Sequence, residues 1–232
     1  MTIQNTNDGA NNTHPTYVYV GDSPSGSVND TLTAASGQNA IMYGFDGDDV
    51  ITGDDGNDII FGGAGNDTIS GGSGNDWISG GAGADRMEGG AGADLFVFNS
   101  SADSAASVAA NTTLTFDQFT DFTSGTDKIQ IDTVGTIDFS ASTTINLNQM
   151  TFSEVNSFAD LVTAIATSLV GSTSALAQFY GVTLTSGALH DNGFTTLVFV
   201  NDGDTSLTAN DLMIHWSGTS SASVVSGDFL FV

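Results

Sequence analysis

Asp49, Asp58, Asp67, Asp76, Asp85 and Asp94 stand nine residues apart, and each closes a glycine-rich hexad. Cut in nines, residues 44–97 read GFDGDDVIT, GDDGNDIIF, GGAGNDTIS, GGSGNDWIS, GGAGADRME and GGAGADLFV. Glycine holds positions one and four in all six copies and aspartate holds position six. Position eight is apolar throughout: Ile51, Ile60, Ile69, Ile78, Met87 and Phe96. Carboxylates set among glycine carbonyls, in a chain with no cysteine, make an all-oxygen donor set. That set suits a hard cation such as Ca2+, which takes six to eight oxygens at about 2.3–2.6 Å; the compact octahedron of Mg2+ fits a carbonyl-rich turn poorly. A flexible glycine linker would need neither a fixed aspartate register nor an apolar residue in every ninth position.

The spacing dictates the elements that must hold these carboxylates. The first six residues of each copy form a turn. Glycine at Gly47, Gly56, Gly65, Gly74 and Gly83, and at Gly63, Gly72 and Gly81, permits positive φ and lets carbonyls crowd one point. The last three residues form a short strand whose middle side chain points inward. One nonapeptide is then half a coil, and copies n and n+2 stack about 4.8 Å apart. Asp49, Asp67 and Asp85 form one column, and Asp58, Asp76 and Asp94 the other. Unit charges at that spacing repel by about 1 kcal/mol in water and by more when buried. Ca2+ in the gaps removes the repulsion, and two gaps per column predict about four core ions. Two weaker copies precede these. SGSVNDTLT at 25–33 keeps Asp30 and Leu32; AASGQNAIM at 34–42 keeps Gly37 and Ile41 and puts Asn39 in the aspartate position. Asp30 and Asn39 are therefore candidate ligands. Tyr43 is then one residue in excess, which predicts a bulge or phase slip there.

Composition narrows the function. The chain carries 27 acidic residues against two basic ones, Arg86 and Lys128, for a net charge of -25. Such a charge opposes binding to nucleic acid, which needs Lys and Arg to meet phosphate, and to anionic membranes. No apolar run approaches the roughly 20 residues of a membrane helix. Residues 1–25 show neither a basic n-region nor an apolar h-region, so no Sec-type signal peptide is read. Without disulfides, a secreted fold needs another staple, and a metal serves.

Three regions follow: a polar arm with a short strand at 1–24, a parallel β-roll at 25–98, and a β-rich C-terminal cap at 99–232. Within the arm, Tyr17–Val20 is a β-type run stopped by Gly21. It suits either an intramolecular cap or a strand added to a neighbouring molecule. Beyond Phe98, residues 114–122, 128–131, 195–200, 211–216 and the ending SGDFLFV read as strands. One short helix is expected over 158–169, with Phe158, Leu161, Val162, Ile165 and Leu169 on one face and a Ser157/Asp160 capping box. Asp121 and Asp127, and the loop holding Asp202, Asp204 and Asp211, are secondary acidic candidates. The fold class is mainly all-β.

The nonapeptides resemble those of the RTX family of type I secreted proteins. FDQFTDFTSGTDKIQI at 116–131 is similar to the segment after the roll in serralysin-like C-terminal domains. TTLVFVNDGDTSLTANDLMIHWSG resembles the late hairpin of small RTX exoproteins and some surface-layer proteins. Asp228-Phe229-Leu230-Phe231-Val232 is similar to their uncleaved C-terminal export signal. The resemblance implies unfolded export through an ABC-transporter channel and folding on external calcium, hence an extracellular or cell-surface protein.

Catalytic motifs of the family are missing. There is no HExxH, and His14, His190 and His215 are widely separated; there is no GxSxG; Gly21-Asp22-Ser23 precedes Pro24 and lacks a downstream Asp-x-x-His. The chain therefore reads as no enzyme. The expected role is a calcium-dependent structural protein that self-associates, in a surface layer, biofilm matrix or adhesive, with cell-surface polysaccharide as a further possible partner. The alternatives are a monomeric glycan- or ice-binding module using Thr31, Thr33 and Thr52, and, least favoured, a small secreted enzyme.

Overall fold

In each repeat a tight turn sends the chain from one sheet into the other, so neighbours within a sheet come from alternate repeats and run parallel. The computed structural model describes residues 2–5, 17–21, 28–100, 103, 117–123, 125–131, 133–134, 137–138, 147–152, 178–184, 196–201, 212–216 and 228–231. The strands begin with β1 (Thr2–Asn5), β2 (Tyr17–Val20), β3 (Thr31–Thr33), β4 (Ala40–Asp46) and β5 (Val50–Thr52). β6 (Ile59–Ala64), β7 (Thr68–Ser73), β8 (Trp77–Ala82), β9 (Arg86–Ala91) and β10 (Leu95–Phe98) complete the repeats. After them come β11 (Asp117–Phe119), β12 (Lys128–Ile131), β13 (Thr133–Val134), β14 (Ile137–Asp138) and β15 (Leu147–Phe152). The last are β16 (Gln178–Leu184), β17 (Thr196–Asn201), β18 (Leu212–Trp216) and β19 (Phe229–Phe231).

The first sheet runs β1-β2-β4-β6-β8-β10-β12-β19 and the second β15-β16-β17-β18-β11-β9-β7-β5-β3, while β13 and β14 pair alone. Within the repeats every pairing is parallel, and Ile51 opposes Ile69, Ile60 opposes Ile78 and Ile69 opposes Met87, a coil of eighteen residues. The core is one side chain thick per sheet. Met42, Ile60, Ile78, Phe96 and Ile129 face Leu32, Ile51, Ile69, Met87 and Phe119, all buried. Toward the C-terminal end the inward residues become aromatic: the Phe96 and Phe119 rings lie 4.4 Å apart, and Phe122 is 5.7 Å from Phe119.

The parallel roll therefore has the predicted architecture, but four details differ from expectation. Neither sheet stops at Phe98: β11 and β18 extend the second and β12 and β19 the first, as further parallel strands. The phase slip lies at Gly37, not Tyr43. Residues up to Ser36 stack nineteen behind their partners, as in Leu32↔Ile51 and Ser36 Oγ to Asp55 Oδ2, whereas Met42↔Ile60 stacks eighteen behind. Gly37 has φ +78° and open space around it, so the extra residue bulges outward. In consequence Met42, not Ile41, points into the core. Third, Tyr17–Val20 is no free edge. It pairs parallel with β4 on one side and antiparallel with β1 on the other. Residues 2–5 of the polar arm are thus a strand. Fourth, residues 147–152 and 178–184, not read as strands in the sequence, form β15 and β16, which pair in parallel; the helix expected over 158–169 falls outside the described residues.

Alternation gives the roll two unlike outer faces. On the first sheet Ile41, Tyr43, Ile59, Phe61, Trp77 and Leu95 point outward, with Tyr43 and Phe61 stacked at 4.9 Å and Trp77 4.9 Å from Phe61. On the second, Thr31, Thr33, Val50, Thr52, Thr68 and Ser70 do.

Burial sets a clear contrast between neighbours in one strand. Ile60 is fully buried and Ile59 is 39% exposed. Ile60→Ala should lower stability by about 2–5 kcal/mol and Ile59→Ala by well under half of that, measured by denaturant unfolding in saturating calcium.

Candidate metal centre

Each aspartate column is a hydrogen-bonded ladder. The Asp49 amide donates to Asp67 Oδ1 at 2.8 Å, and the Asp67 amide to Asp85 Oδ1 at 2.8 Å. On the other side the Asp58 amide donates to Asp76 Oδ1 at 2.8 Å and the Asp76 amide to Asp94 Oδ1 at 3.0 Å. Every carboxylate thus reaches back one coil, and its orientation is fixed by the backbone beneath it.

The second oxygen is left over. The Oδ2 atoms of Asp49, Asp58, Asp67, Asp76, Asp85 and Asp94 are buried and accept no hydrogen bond. Each points at the first glycine of its own repeat. A β-carbon on Gly44, Gly53, Gly62 or Gly71 would collide with the Oδ2 of Asp49, Asp58, Asp67 or Asp76, and with the carbonyl oxygen of Gly62, Gly71, Gly80 or Gly89 one coil on. Glycine here holds open a small space walled by a carboxylate and a carbonyl. Four such spaces lie in the repeats, two per column. At Gly80 and Gly89 the nearest atoms all belong to Asp85 and Asp94.

The remaining predicted glycines form the turn stack. Gly47, Gly56, Gly65, Gly74 and Gly83 have φ between +134° and +151°, and Gly63, Gly72 and Gly81 between +98° and +124°. A side chain on Gly65 would strike the Gly47 carbonyl, and one on Gly74 the Gly56 carbonyl. Carbonyls therefore line up along the turns, as an oxygen-coordinated ion requires. Among the described residues no three acidic or histidine side chains converge, so the donors are carboxylates with backbone carbonyls.

The sequence placed one candidate wrongly. Because the slip is at Gly37, Ala40 and not Asn39 stands in the aspartate column: the Ala40 amide donates to Asp58 Oδ1 at 2.7 Å. Asn39 belongs one position earlier, where its Oδ1 accepts the Asn57 amide at 2.9 Å. Asp30 heads the other column, its amide donating to Asp49 Oδ1 at 2.7 Å.

Asp127 stood only among the secondary acidic candidates, and Asp117 went unread. The columns continue past the repeats into Asp117 and Asp127, whose Oδ1 atoms accept the Asp85 and Asp94 amides at 2.8 and 3.1 Å. Asp117-x-Phe119 and Asp127-x-Ile129 carry the D-x-apolar signal of the repeats without the glycines. Asp121 caps the turn stack instead, accepting the Gly89 and Gly90 amides. Asp202, Asp204 and Asp211 fall outside the described residues. Position five forms a second ladder in which Asn57 Oδ1 accepts the Asn75 amide and Asn66 Oδ1 the Ala84 amide. His215 is buried in β18, paired with Gln118 of β11.

Burial makes these carboxylates hard to ionise on protein groups alone. It is the largest influence on each and pushes Asp58 and Asp67 up to about 7, Asp76 to about 6 and Asp85 to about 8. The amide donated from the previous coil opposes burial, and the stacked neighbour's charge adds to it. Asp117, the most enclosed, is raised well above the ordinary carboxylate range by burial and then by Asp85.

Residues 43–78 and 65–96 match the family of the RTX calcium-binding nonapeptide repeat (4 copies). These repeats bind Ca2+. No curated protein sequence matches the chain significantly. The fold is similar to two solution structures from the Azotobacter vinelandii mannuronan C5-epimerase. The AlgE6R3 subunit is 19% identical, with 88% of this chain and 80% of that one covered at a TM-score of 0.39. The AlgE6R2 subunit is 20% identical, with 92% and 91% covered at a TM-score of 0.39.

Raised carboxylate pKa values have a definite sign. Their contribution to stability is full below the unfolded value of about 4 and is lost as pH rises through about 6 to 8, the folded values of Asp76, Asp58, Asp67 and Asp85. In chelator, acidification through that window should therefore raise the β signal in circular dichroism. Apparent calcium affinity should fall over the same window, since ligands must be ionised to bind; an affinity flat with pH would contradict the burial of these groups. The Asp67 carboxylate walls a space that a carbonyl closes on the other side, and the Asp94 carboxylate does not, so Asp67→Ala should raise the calcium midpoint more than Asp94→Ala in a titration.

Proposed function

We propose that this is a calcium-triggered extracellular structural protein, not an enzyme, that folds on meeting external calcium and then associates with its own kind. The buried, unpartnered Oδ2 row carries the reading. A roll whose core is one side chain thick cannot hold stacked buried charge without a counter-ion, so the chain stays extended where calcium is scarce. Export as an unfolded chain by a type I route fits that dependence. Among the described residues no helix is long and apolar enough to cross a membrane.

Support for association comes from the outer face of the first sheet. Tyr43 and Phe61 stack face to face, so their ring edges, with Ile59, form an apolar band on a chain of net charge -25. Calcium lowers the repulsion that would keep such bands apart. Tyr17–Val20 is already paired on both sides, so it does not supply a strand to a neighbour. The second reading, a monomeric glycan- or ice-binding module, draws on the exposed Thr31, Thr33, Val50 and Thr68 of the second sheet, a row of hydroxyls and methyls that ends at Arg86.

Circular dichroism and light scattering of the full chain against calcium test both steps. The expected result is little β signal in chelator, and folding followed by growth in particle size over about 10⁻⁴–10⁻³ M calcium. Native β signal at neutral pH in excess chelator defeats the folding trigger. A folded chain that stays monomeric at high protein concentration defeats association and favours the binding module.

A further inference from the structure

The geometry points to one more Ca2+ cradle at the N-terminal end of the roll, formed by Gly21 and Asp30, which lie outside the matched repeats, and by the carbonyl of Gly44 at their edge. The inference rests on the calcium reading above and extends it to residues with no nonapeptide spacing. Gly21 and Asp30 are nine apart, whereas the first glycine and the aspartate of each repeat are five apart.

Backbone register nevertheless puts them in equivalent places. The Gly21 amide donates to Tyr43 O at 2.9 Å, as the Gly53 amide does to Ser70 O at 2.9 Å. Gly21 is thus a position-one glycine. The Val28 amide donates to Asp46 O, as the Gly47 amide does to Ala64 O. The Asp48 amide donates to Asn29 Oδ1 at 3.0 Å, and the Asp30 amide to Asp49 Oδ1 at 2.7 Å. Val28, Asn29 and Asp30 therefore fill positions four, five and six, and residues 22–27 replace the two residues that normally separate them from position one.

The cradle itself matches as well. Gly21 is buried, and a β-carbon there would lie 2.5 Å from Gly44 O and 2.6 Å from Asp30 Oδ2. Those are the same two walls, a carboxylate of the same turn and a carbonyl of the next coil, found at Gly44, Gly53, Gly62 and Gly71. Among the described residues, every other glycine with both walls lies in the repeats that bind Ca2+. An ion at Gly21 would clamp β2 and β3 onto the first full repeat.

The test is the number of calcium ions per chain, counted by native mass spectrometry and equilibrium dialysis on the full chain, Gly21→Ala and Asp30→Asn. Gly21→Ala puts a methyl group into the cradle without changing charge; Asp30→Asn keeps shape and removes the charge. Each should bind one ion fewer than the unaltered chain while its circular dichroism in saturating calcium is unchanged, and Thr33→Ala should bind the full number. Asp30→Asn decides where Gly21→Ala does not fold. An unchanged count in the folded variants overturns this cradle and leaves calcium binding by the repeats intact. An unaltered chain that binds no calcium overturns the reading beneath it.

Discussion

Carboxylates held one above another at the pitch of a β-sheet are the constraint on which the rest of this molecule depends. The ladder fixes them there: each aspartate amide needs an acceptor, and the acceptor is the carboxylate one coil on. The backbone cannot keep this arrangement and move the charges apart. One oxygen per carboxylate is consumed by the ladder, and the other is buried with no protein donor. A proton, a water molecule or a cation must satisfy it, and the carbonyl oxygen beside it favours the cation. The position-one glycines follow from the same demand, because a larger residue would fill the space the cation needs.

The outer faces show what the constraint leaves free. The last three residues of each repeat turn the middle side chain inward and the outer two outward, so the inward row is held to Ile, Met, Leu and Phe while the outward rows vary. One face has become aromatic and apolar and the other hydroxyl-rich, with no change to turns or register. Chemistry displayed to a partner is therefore separable in this fold from the chemistry that folds it.

Most of the repeat core was legible because a strict period of nine converts sequence position directly into spatial position. Six aspartates, their glycines and the inward apolar row all follow from that conversion. It failed where the period broke. Asn39 looked like an aspartate substitute only because the excess residue was assigned to Tyr43; one residue of slip turns the strand over, and the structure puts Met42 inward and Asn39 on the neighbouring ladder. Asp117, and the column position of Asp127, were hidden for a related reason. Their column positions come from strand pairing across 32 and 33 residues, and no turn of fixed length leads to them. Asp30 was visible as a carboxylate, but its partner Gly21 was not, since six intervening residues disguise a position-one glycine as a strand terminator.

The two ladders also explain why the last repeats differ in sequence from the middle ones. At position six the later coil supplies the acceptor; at position five the earlier coil does, as in Asn57 Oδ1 accepting the Asn75 amide. The directions are opposite, so the C-terminal end has unequal needs. Its position-six amides, Asp85 and Asp94, still require carboxylates from beyond the repeats, and Asp117 and Asp127 provide them. Its position-five side chains have no further nonapeptide turn to serve, and there the sequence changes from Asn66 and Asn75 to Ala84 and Ala93. Those alanines still receive what the ladder owes them, since their own amides donate to Asn66 and Asn75. Loss of the asparagines together with retention of the aspartates is thus the mark of a final coil, written by hydrogen-bond polarity.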